Sequence, residues 1–165
     1  MAAPSPRPLF FLDVEGPLIP FGGTEYPTAA DPQDAADNPL LARLDPALGP
    51  RLLALPCQLM WATTWSDEAN ETLSPRLGLP PLPVVDWPYH SDDEGRGGMH
   101  WKTRTLLVWA AGRPFAWADN EITPADRAWT AAHHPAPALL DRVDPRTGLT
   151  PPDLATLAHW LGRPA

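Results

Sequence analysis

Short apolar runs that stop on polar residues alternate with helical patterns along this chain of 165 residues. Runs of this length, bounded by prolines and glycines, favour buried strands. Strands that alternate with helices predict parallel strands joined by right-handed crossovers. We therefore expect an α/β fold with three α/β/α layers, Rossmann-like, around a parallel sheet of about five strands. The predicted strands span residues 9–14, 58–63, 82–85, 114–118 and 138–143.

Capping residues and prolines mark the helical segments between these strands. Asn38 is a predicted N-cap before Pro39, and Pro46 and Pro50 divide the leucine-rich segment that follows into two short pieces. The other predicted helices are one capped by Ser66 that ends near Gly78, residues 100–111, residues 124–132, and a last one from Thr150 to Gly162.

Length and loop composition predict a single domain over residues 1–165. A turn-rich insertion over 17–37 follows the first strand, and a flexible polar loop is expected over 88–98. Both segments are too small for a large cap domain. We therefore expect a minimal cap or none, which leaves room for a bulky substrate.

Charge and cysteine content narrow the partners and the compartment. A net charge of −8 argues against extended duplex nucleic-acid binding, which needs clustered cations. Cys57 is the only cysteine, so no intrachain disulfide can form and a reducing compartment fits best. No stretch approaches the ~20 apolar residues of a membrane span. We expect a cytoplasmic protein without a membrane partner, and the sequence leaves its oligomeric state open.

Four of the predicted elements bring polar side chains toward one place. Asp13 and Glu15 follow the first strand, Thr63 ends the second, Asp119 follows the fourth, and Lys102 lies near the start of the preceding helix. In open parallel sheets, ligands gather at the carboxyl ends of the strands. The positions of these residues at the strand ends therefore predict a shared site. Their order along the chain differs from the order in receiver domains, which argues against that class of protein.

The chemistry of this set favours phosphoryl transfer. Carboxylates converging from two strands make a hard-oxygen site suited to Mg²⁺. An ionised carboxylate can attack phosphorus, while a second carboxylate protonates the leaving oxygen and later deprotonates water. Thr63 would donate to the phosphoryl oxygens, and Lys102, the only lysine, would neutralise developing charge.

The chain resembles the haloacid dehalogenase (HAD) superfamily of phosphohydrolases in four motifs: Asp13-Val14-Glu15-Gly16-Pro17-Leu18, Thr63, Lys102 and Asp119. The sequence around these motifs is similar to that of the HAD domains of "Swiss army knife" RNA-repair proteins. That likeness rests on Trp61-Ala62-Thr63-Thr64-Trp65 with Asn70, on Pro114-Phe115-Ala116-Trp117-Ala118-Asp119, and on the tail from Val143 to Thr150.

The resemblance implies a role for each matching residue. Asp13 would be the nucleophile and Glu15 the acid and base. Thr63, Thr64 and Lys102 would bind the phosphoryl group, with Thr63 favoured over Thr64 as the hydroxyl donor. Mg²⁺ would be held by Asp13, Asp119 and the Glu15 backbone carbonyl, with Asn120 at the position of the family's second acid. The implied substrate is a phosphorylated small molecule or a nucleic-acid end.

Two departures from the family pattern leave a second function open. Glu15 is one methylene longer than the family's aspartate, and Asn120 supplies no charge where the family has an acid, a role that Glu121 would partly cover. A slow Mg²⁺-dependent phosphatase is the leading hypothesis. The alternative is a catalytically weak binding or regulatory module on the same fold. Trp65 and Trp87 could stack a base or sugar, although core packing is favoured for both.

Overall fold

Four parallel strands form one sheet in the computed structural model, which describes residues 6–26, 38–88 and 96–163. The strand order is β2-β1-β3-β4. The chain therefore adds β2 on one side of β1 and then crosses over to add β3 and β4 on the other side, which makes the gap between β1 and β3 the point where the strand order reverses. The predicted α/β class with a parallel sheet is confirmed. The strands are β1 (Leu9–Leu12), β2 (Gln58–Trp61), β3 (Phe115–Asp119) and β4 (Ala138–Arg142).

Five α-helices lie in the described ranges, together with short 3₁₀ and π-helical turns. None of the helices described is long and apolar enough to cross a membrane. The α-helices are α1 (Leu48–Leu53), α2 (Ser74–Leu77), α3 (Thr103–Ala110), α4 (Pro124–His133) and α5 (Pro151–Leu161). The 3₁₀ helices are Pro39–Arg43 and Arg96–Gly98, and the π-helical turn is Ala69–Leu73.

The alternation of side chains along the strands separates two hydrophobic cores, one on each face of the sheet. Phe10 and Leu12 point into one core, which α1, α2 and α5 cover. Leu9 and Phe11 point into the other, to which α3 contributes Leu106. Helices thus cover both faces, which leaves the carboxyl edge of the sheet as the place where polar side chains can gather.

Several of the predicted helix caps are confirmed. The Asn38 side chain accepts a hydrogen bond from the Leu40 amide at 3.0 Å, and Gly78 ends α2 in the left-handed region. Thr150 forms the reciprocal capping box of α5. Ser66 is wrong as a helix cap: its φ is +51°, outside the extended region that an N-cap needs, and the helical segment begins without a side-chain cap.

The predicted strand over 82–85 is reduced to one parallel bridge, between Trp61 and Val84. Pro83 supplies only a carbonyl, which accepts from the Trp61 amide at 2.9 Å, and its ring leaves no N–H to extend the ladder. The helix predicted over 100–111 begins later, at Thr103. The predicted insertion and polar loop fall partly outside the described residues, at 27–37 and 89–95.

Gly16 allows the turn after β1 to pass close to the turn after β3. Its φ is +102°, and a Cβ atom at this position would lie 2.9 Å from the Asn120 side chain. Gly78 also has a positive φ, +67°, but a Cβ there would meet nothing within 4 Å. An alanine at position 78 would therefore introduce backbone strain alone, whereas an alanine at position 16 would introduce both strain and a steric contact.

We predict that Gly16→Ala lowers the free energy of unfolding by about 2–4 kcal/mol, because strain and contact with Asn120 add together. Gly78→Ala, with strain alone, is expected to cost about 1 kcal/mol. Urea denaturation of both variants measures the difference. Equal losses would mean that the approach of Asn120 to Gly16 does not constrain the fold.

Candidate active site

The carboxyl ends of β1 and β3 place two carboxylates around one ammonium group. Lys102 Nζ lies 3.0 Å from Asp13 Oδ1 and 2.9 Å from Asp119 Oδ2. The exposed fractions of Asp13, Lys102 and Asp119 are 8%, 4% and 1%. Because β1 and β3 are neighbours where the strand order reverses, these three residues meet where open sheets bind ligands.

The electrostatics of this triad leave an excess of negative charge in a buried place. Burial raises the pKa of Asp13 from 3.8 to about 7, and the Asp119 charge adds to the rise, while Lys102 offsets part of it. Burial acts against the Lys102 ammonium too, but the two carboxylates raise its pKa overall. Lys102 therefore stays protonated, and Asp13 is only partly ionised near neutral pH.

The backbone of Lys102 is held from two sides. His100 Nδ1 accepts from the Lys102 amide at 3.1 Å, and Asp126 Oδ1 accepts from the His100 amide at 2.7 Å. The same Asp126 oxygen accepts from the Thr103 hydroxyl at 2.6 Å. Asp126 belongs to the capping box of α4 with Thr123, so the start of α4 fixes the start of α3.

Two tryptophans line the Lys102 ammonium group. Its Nζ lies 5.8 Å from the centre of the Trp87 ring and 5.6 Å from that of Trp101. Trp87 Nε1 donates to the Thr63 carbonyl at 3.0 Å, which ties this wall to the end of β2. Trp65 packs against the core beside β2, in agreement with the favoured interpretation of that residue.

A cavity of about 200 Å³ opens at this edge of the sheet. Asp13 and Lys102 line it, with Glu15 exposed at its side. Thr64 lines the cavity, whereas Thr63 is buried and its hydroxyl oxygen accepts from the Trp65 amide at 3.2 Å. The Thr63 hydroxyl hydrogen is still available for donation, so both threonines stay candidates for the phosphoryl donor.

The Asn120 side-chain amide bridges the turns after β1 and β3. Its nitrogen donates to the Glu15 carbonyl oxygen at 3.1 Å and to Asp119 Oδ1 at 3.3 Å, the orientation that satisfies both neighbours. The Asp13 and Asp119 carboxylates and the Glu15 carbonyl offer oxygen atoms, the ligand type that Mg²⁺ prefers. The Asn120 amide would have to turn about to add its oxygen to that set.

A second group of ligand-type atoms lies nearby but does not suit a metal. His100, Asp119 and Glu121 have ligand atoms within 4.8 Å of one another. His100 Nδ1 already accepts the Lys102 amide hydrogen, so the ring proton is assigned to Nε2, which lies 3.1 Å from Glu121 Oε2. Without a free ring lone pair, His100 acts as a hydrogen-bond donor here.

Sequence reasoning missed two residues of this site, His100 and Asp126. The spacing Thr123-Pro124-Ala125-Asp126 is a capping signal, and it predicts the start of α4. Nothing in the sequence links Asp126 to His100, because they are 26 positions apart. Comparison with protein-family models, curated proteins and solved structures gives no match to this chain.

We predict that, in chelator, the unfolding free energy of the wild type falls between about pH 4 and pH 7.5 relative to that of Asp13→Asn. The folded-state pKa of Asp13, about 7, exceeds its ordinary 3.8. Stability from this group is therefore complete below about pH 4 and is lost as the pH rises through 7. The expected change is of order 1–3 kcal/mol by urea denaturation. A pH-independent difference would contradict the burial of an ionising Asp13.

We predict that Asp126→Ala is more destabilising than Asp153→Ala, a matched control. Both residues close a capping box, worth about 1 kcal/mol. Asp126→Ala also leaves the His100 amide and the Thr103 hydroxyl unpaired, for a total of roughly 2–4 kcal/mol. Hydrogen exchange is expected to accelerate at the Lys102 amide only in Asp126→Ala. Equal exchange in both variants would refute the positioning role.

Proposed function

We propose that this chain is a Mg²⁺-dependent phosphomonoester hydrolase of the HAD type that works through an aspartyl-phosphate on Asp13. The observation that carries the proposal is the buried contact of Lys102 with Asp13 and Asp119, at 3.0 and 2.9 Å. A structural ion pair would need no second carboxylate and no opening to solvent. This triad has both, because Asp13 and Lys102 line a cavity.

In the first step, an Asp13 carboxylate oxygen attacks phosphorus and the bond from phosphorus to the leaving oxygen breaks. The exposed Glu15 donates a proton to that oxygen, so the alcohol leaves neutral. Glu15 lies in the turn directly after Asp13, where its longer side chain reaches into the same cavity. The product of this step is an acyl phosphate on Asp13 and a free alcohol.

In the second step, a water molecule attacks the phosphorus of the acyl phosphate. Glu15, now ionised, takes the proton from the water, and the bond between phosphorus and the Asp13 oxygen breaks. Inorganic phosphate leaves, and Asp13 regains its carboxylate. One residue thus acts first as an acid and then as a base.

Lys102 and the two threonines would meet the charge on the phosphoryl oxygens. The Lys102 ammonium lies between the two carboxylates, Thr64 lines the cavity, and the buried Thr63 would be a second hydroxyl donor. Bound Mg²⁺, held by Asp13, Asp119, the Glu15 carbonyl and Asn120, would supply the positive charge that keeps Asp13 ionised. Preorganised donors of this kind are typically worth about 10²–10³ in rate each.

The substrate proposed is a phosphorylated small molecule or the phosphorylated end of a nucleic acid. The cavity of about 200 Å³ has room for a phosphoryl group and the atoms next to it, so the rest of a larger leaving group would extend outside it. We place the protein in the cytoplasm. Its only cysteine, Cys57, is buried, and burial raises the pKa of that thiol to about 12, which suits an unreactive thiol rather than a disulfide partner.

A specific contact favours the second candidate, a catalytically weak binding module. With its nitrogen facing inward, Asn120 donates to the Glu15 carbonyl and to Asp119. Those hydrogen bonds compete with a cation for the same two oxygen atoms. A chain in which they persisted would retain the fold and the phosphate pocket while turning over slowly.

We predict that the wild type releases phosphate from p-nitrophenyl phosphate with Mg²⁺, and that Asp13→Asn reduces release to background. Lys102→Met is expected to lower kcat by roughly 10²–10³. Asp153→Asn, at a residue that does not line the cavity, serves as the control for handling and folding. Phosphate release that survives Asp13→Asn would exclude Asp13 as the nucleophile.

Glu15→Asp separates the two candidates. A working enzyme adapted to glutamate loses rate when the carboxylate is drawn back by about 1.5 Å, by up to roughly 10²-fold. A large gain in kcat would instead identify the natural protein as the weak module. Pre-steady-state phosphate release measures both outcomes on the same substrate.

A further inference from the structure

We propose that the phosphate ester bound at this site carries a second phosphate group, which Arg142 contacts in a neighbouring cavity beyond Phe21. The inference rests on the proposed function, because it assigns the substrate of the same site.

Arg142 lies one strand away from the catalytic carboxylate. Asp119 and Arg142 are register partners at the ends of β3 and β4, and the Val143 amide donates to the Asp119 carbonyl at 3.0 Å. Neighbouring parallel strands are about 4.8 Å apart, and register partners point to the same face. Arg142 therefore leaves the sheet on the same face as Asp119, one strand away, and its side chain lines the neighbouring cavity.

Phe21 connects the two spaces. It lines the cavity that holds Asp13 and also a larger one of about 560 Å³, lined by Arg142, Asp144 and Arg146. Phe21 is 40% exposed, while its amide donates to the Pro145 carbonyl at 2.7 Å, which fixes the backbone. A leaving group that extends from the small cavity into the large one would pass across this ring.

The charges in the larger cavity leave one arginine uncompensated. Arg146 pairs with Asp144 through two hydrogen bonds, at 3.1 and 3.0 Å, and this pairing lowers the pKa of Asp144. Within the described parts of the chain, Arg142 has no carboxylate partner. The described residues that line the cavity thus carry a net positive charge, although acids outnumber bases in the chain by 20 to 12.

A second phosphate matches this site in both charge and shape. A guanidinium group binds phosphate oxygens through paired hydrogen bonds, and it stays charged at all relevant pH values. The segment between the two phosphates would pack on Phe21, which accepts an alkyl chain, a sugar or a planar ring. The shared chemistry is therefore a bisphosphate, either a small molecule or an end phosphate next to a phosphodiester.

The test compares kcat/KM for substrates that differ only in the second phosphate. The small-molecule pair is propane-1,3-diol bisphosphate and 3-hydroxypropyl phosphate. The nucleic-acid pair is a dinucleotide with a terminal phosphate and the same dinucleotide with an uncharged methylphosphonate in place of its phosphodiester. We expect the wild type to favour the doubly charged member of at least one pair by roughly 10-fold or more. The pair with the larger preference identifies the source of the second phosphate.

Substitution of Arg142 assigns the preference to its guanidinium. Arg142→Ala is expected to bring the preference close to 1, and Arg142→Lys to retain part of it. Arg163→Ala is the matched control: it removes one exposed arginine near Pro8 and Pro114, at the amino edge of the sheet, and the preference is expected to stay as in the wild type. A preference unchanged by Arg142→Ala, or equal rates for both members of each pair, would overturn the inference.

Binding to the Asp13→Asn protein keeps this inference separate from catalysis. With Mg²⁺ present, calorimetry on that variant is expected to give the same ordering of affinities, again dependent on Arg142. Absence of turnover together with Arg142-dependent bisphosphate binding would overturn the proposed hydrolase and support the second-phosphate site. Turnover without that dependence would do the reverse.

Discussion

The ammonium of Lys102 between two buried carboxylates is the interaction on which the site depends. One positive charge cannot neutralise two negative charges, and burial makes the remaining negative charge costly. The rise in the pKa of Asp13 to about 7 expresses that cost. A site of this kind favours whatever brings more positive charge to it, and a divalent cation is the ligand that we propose for it.

The fold holds this arrangement by means that lie outside the triad. The reversal of strand order between β1 and β3 sets Asp13 beside Asp119. Asp126, through His100, fixes the turn that carries Lys102. Gly16 lets the turn after β1 approach Asn120. Each of these three features constrains the backbone rather than a side chain. The charged groups therefore lie together before a ligand binds, and binding does not have to order them.

The sequence was sufficient to predict the convergence of Asp13, Lys102 and Asp119, because strand ends and chain order determine it. It was not sufficient for contacts that depend on tertiary geometry. The sequence next to Asp126 predicts a helix cap. It gives no indication of the hydrogen bonds that Asp126 accepts from His100 and Thr103. The strand expected at 82–85 does not form. Its apolar residues favour a strand, but the missing N–H of Pro83 limits the pairing to one bridge.

Trapping the covalent intermediate tests the central claim most directly. Rapid acid quench during turnover with Mg²⁺, followed by borohydride reduction, converts an aspartyl-phosphate to homoserine, which peptide mass spectrometry locates. The account predicts homoserine at position 13 in the wild type and none in Asp13→Asn. Turnover without modification at that position, or modification at another carboxylate, would contradict it.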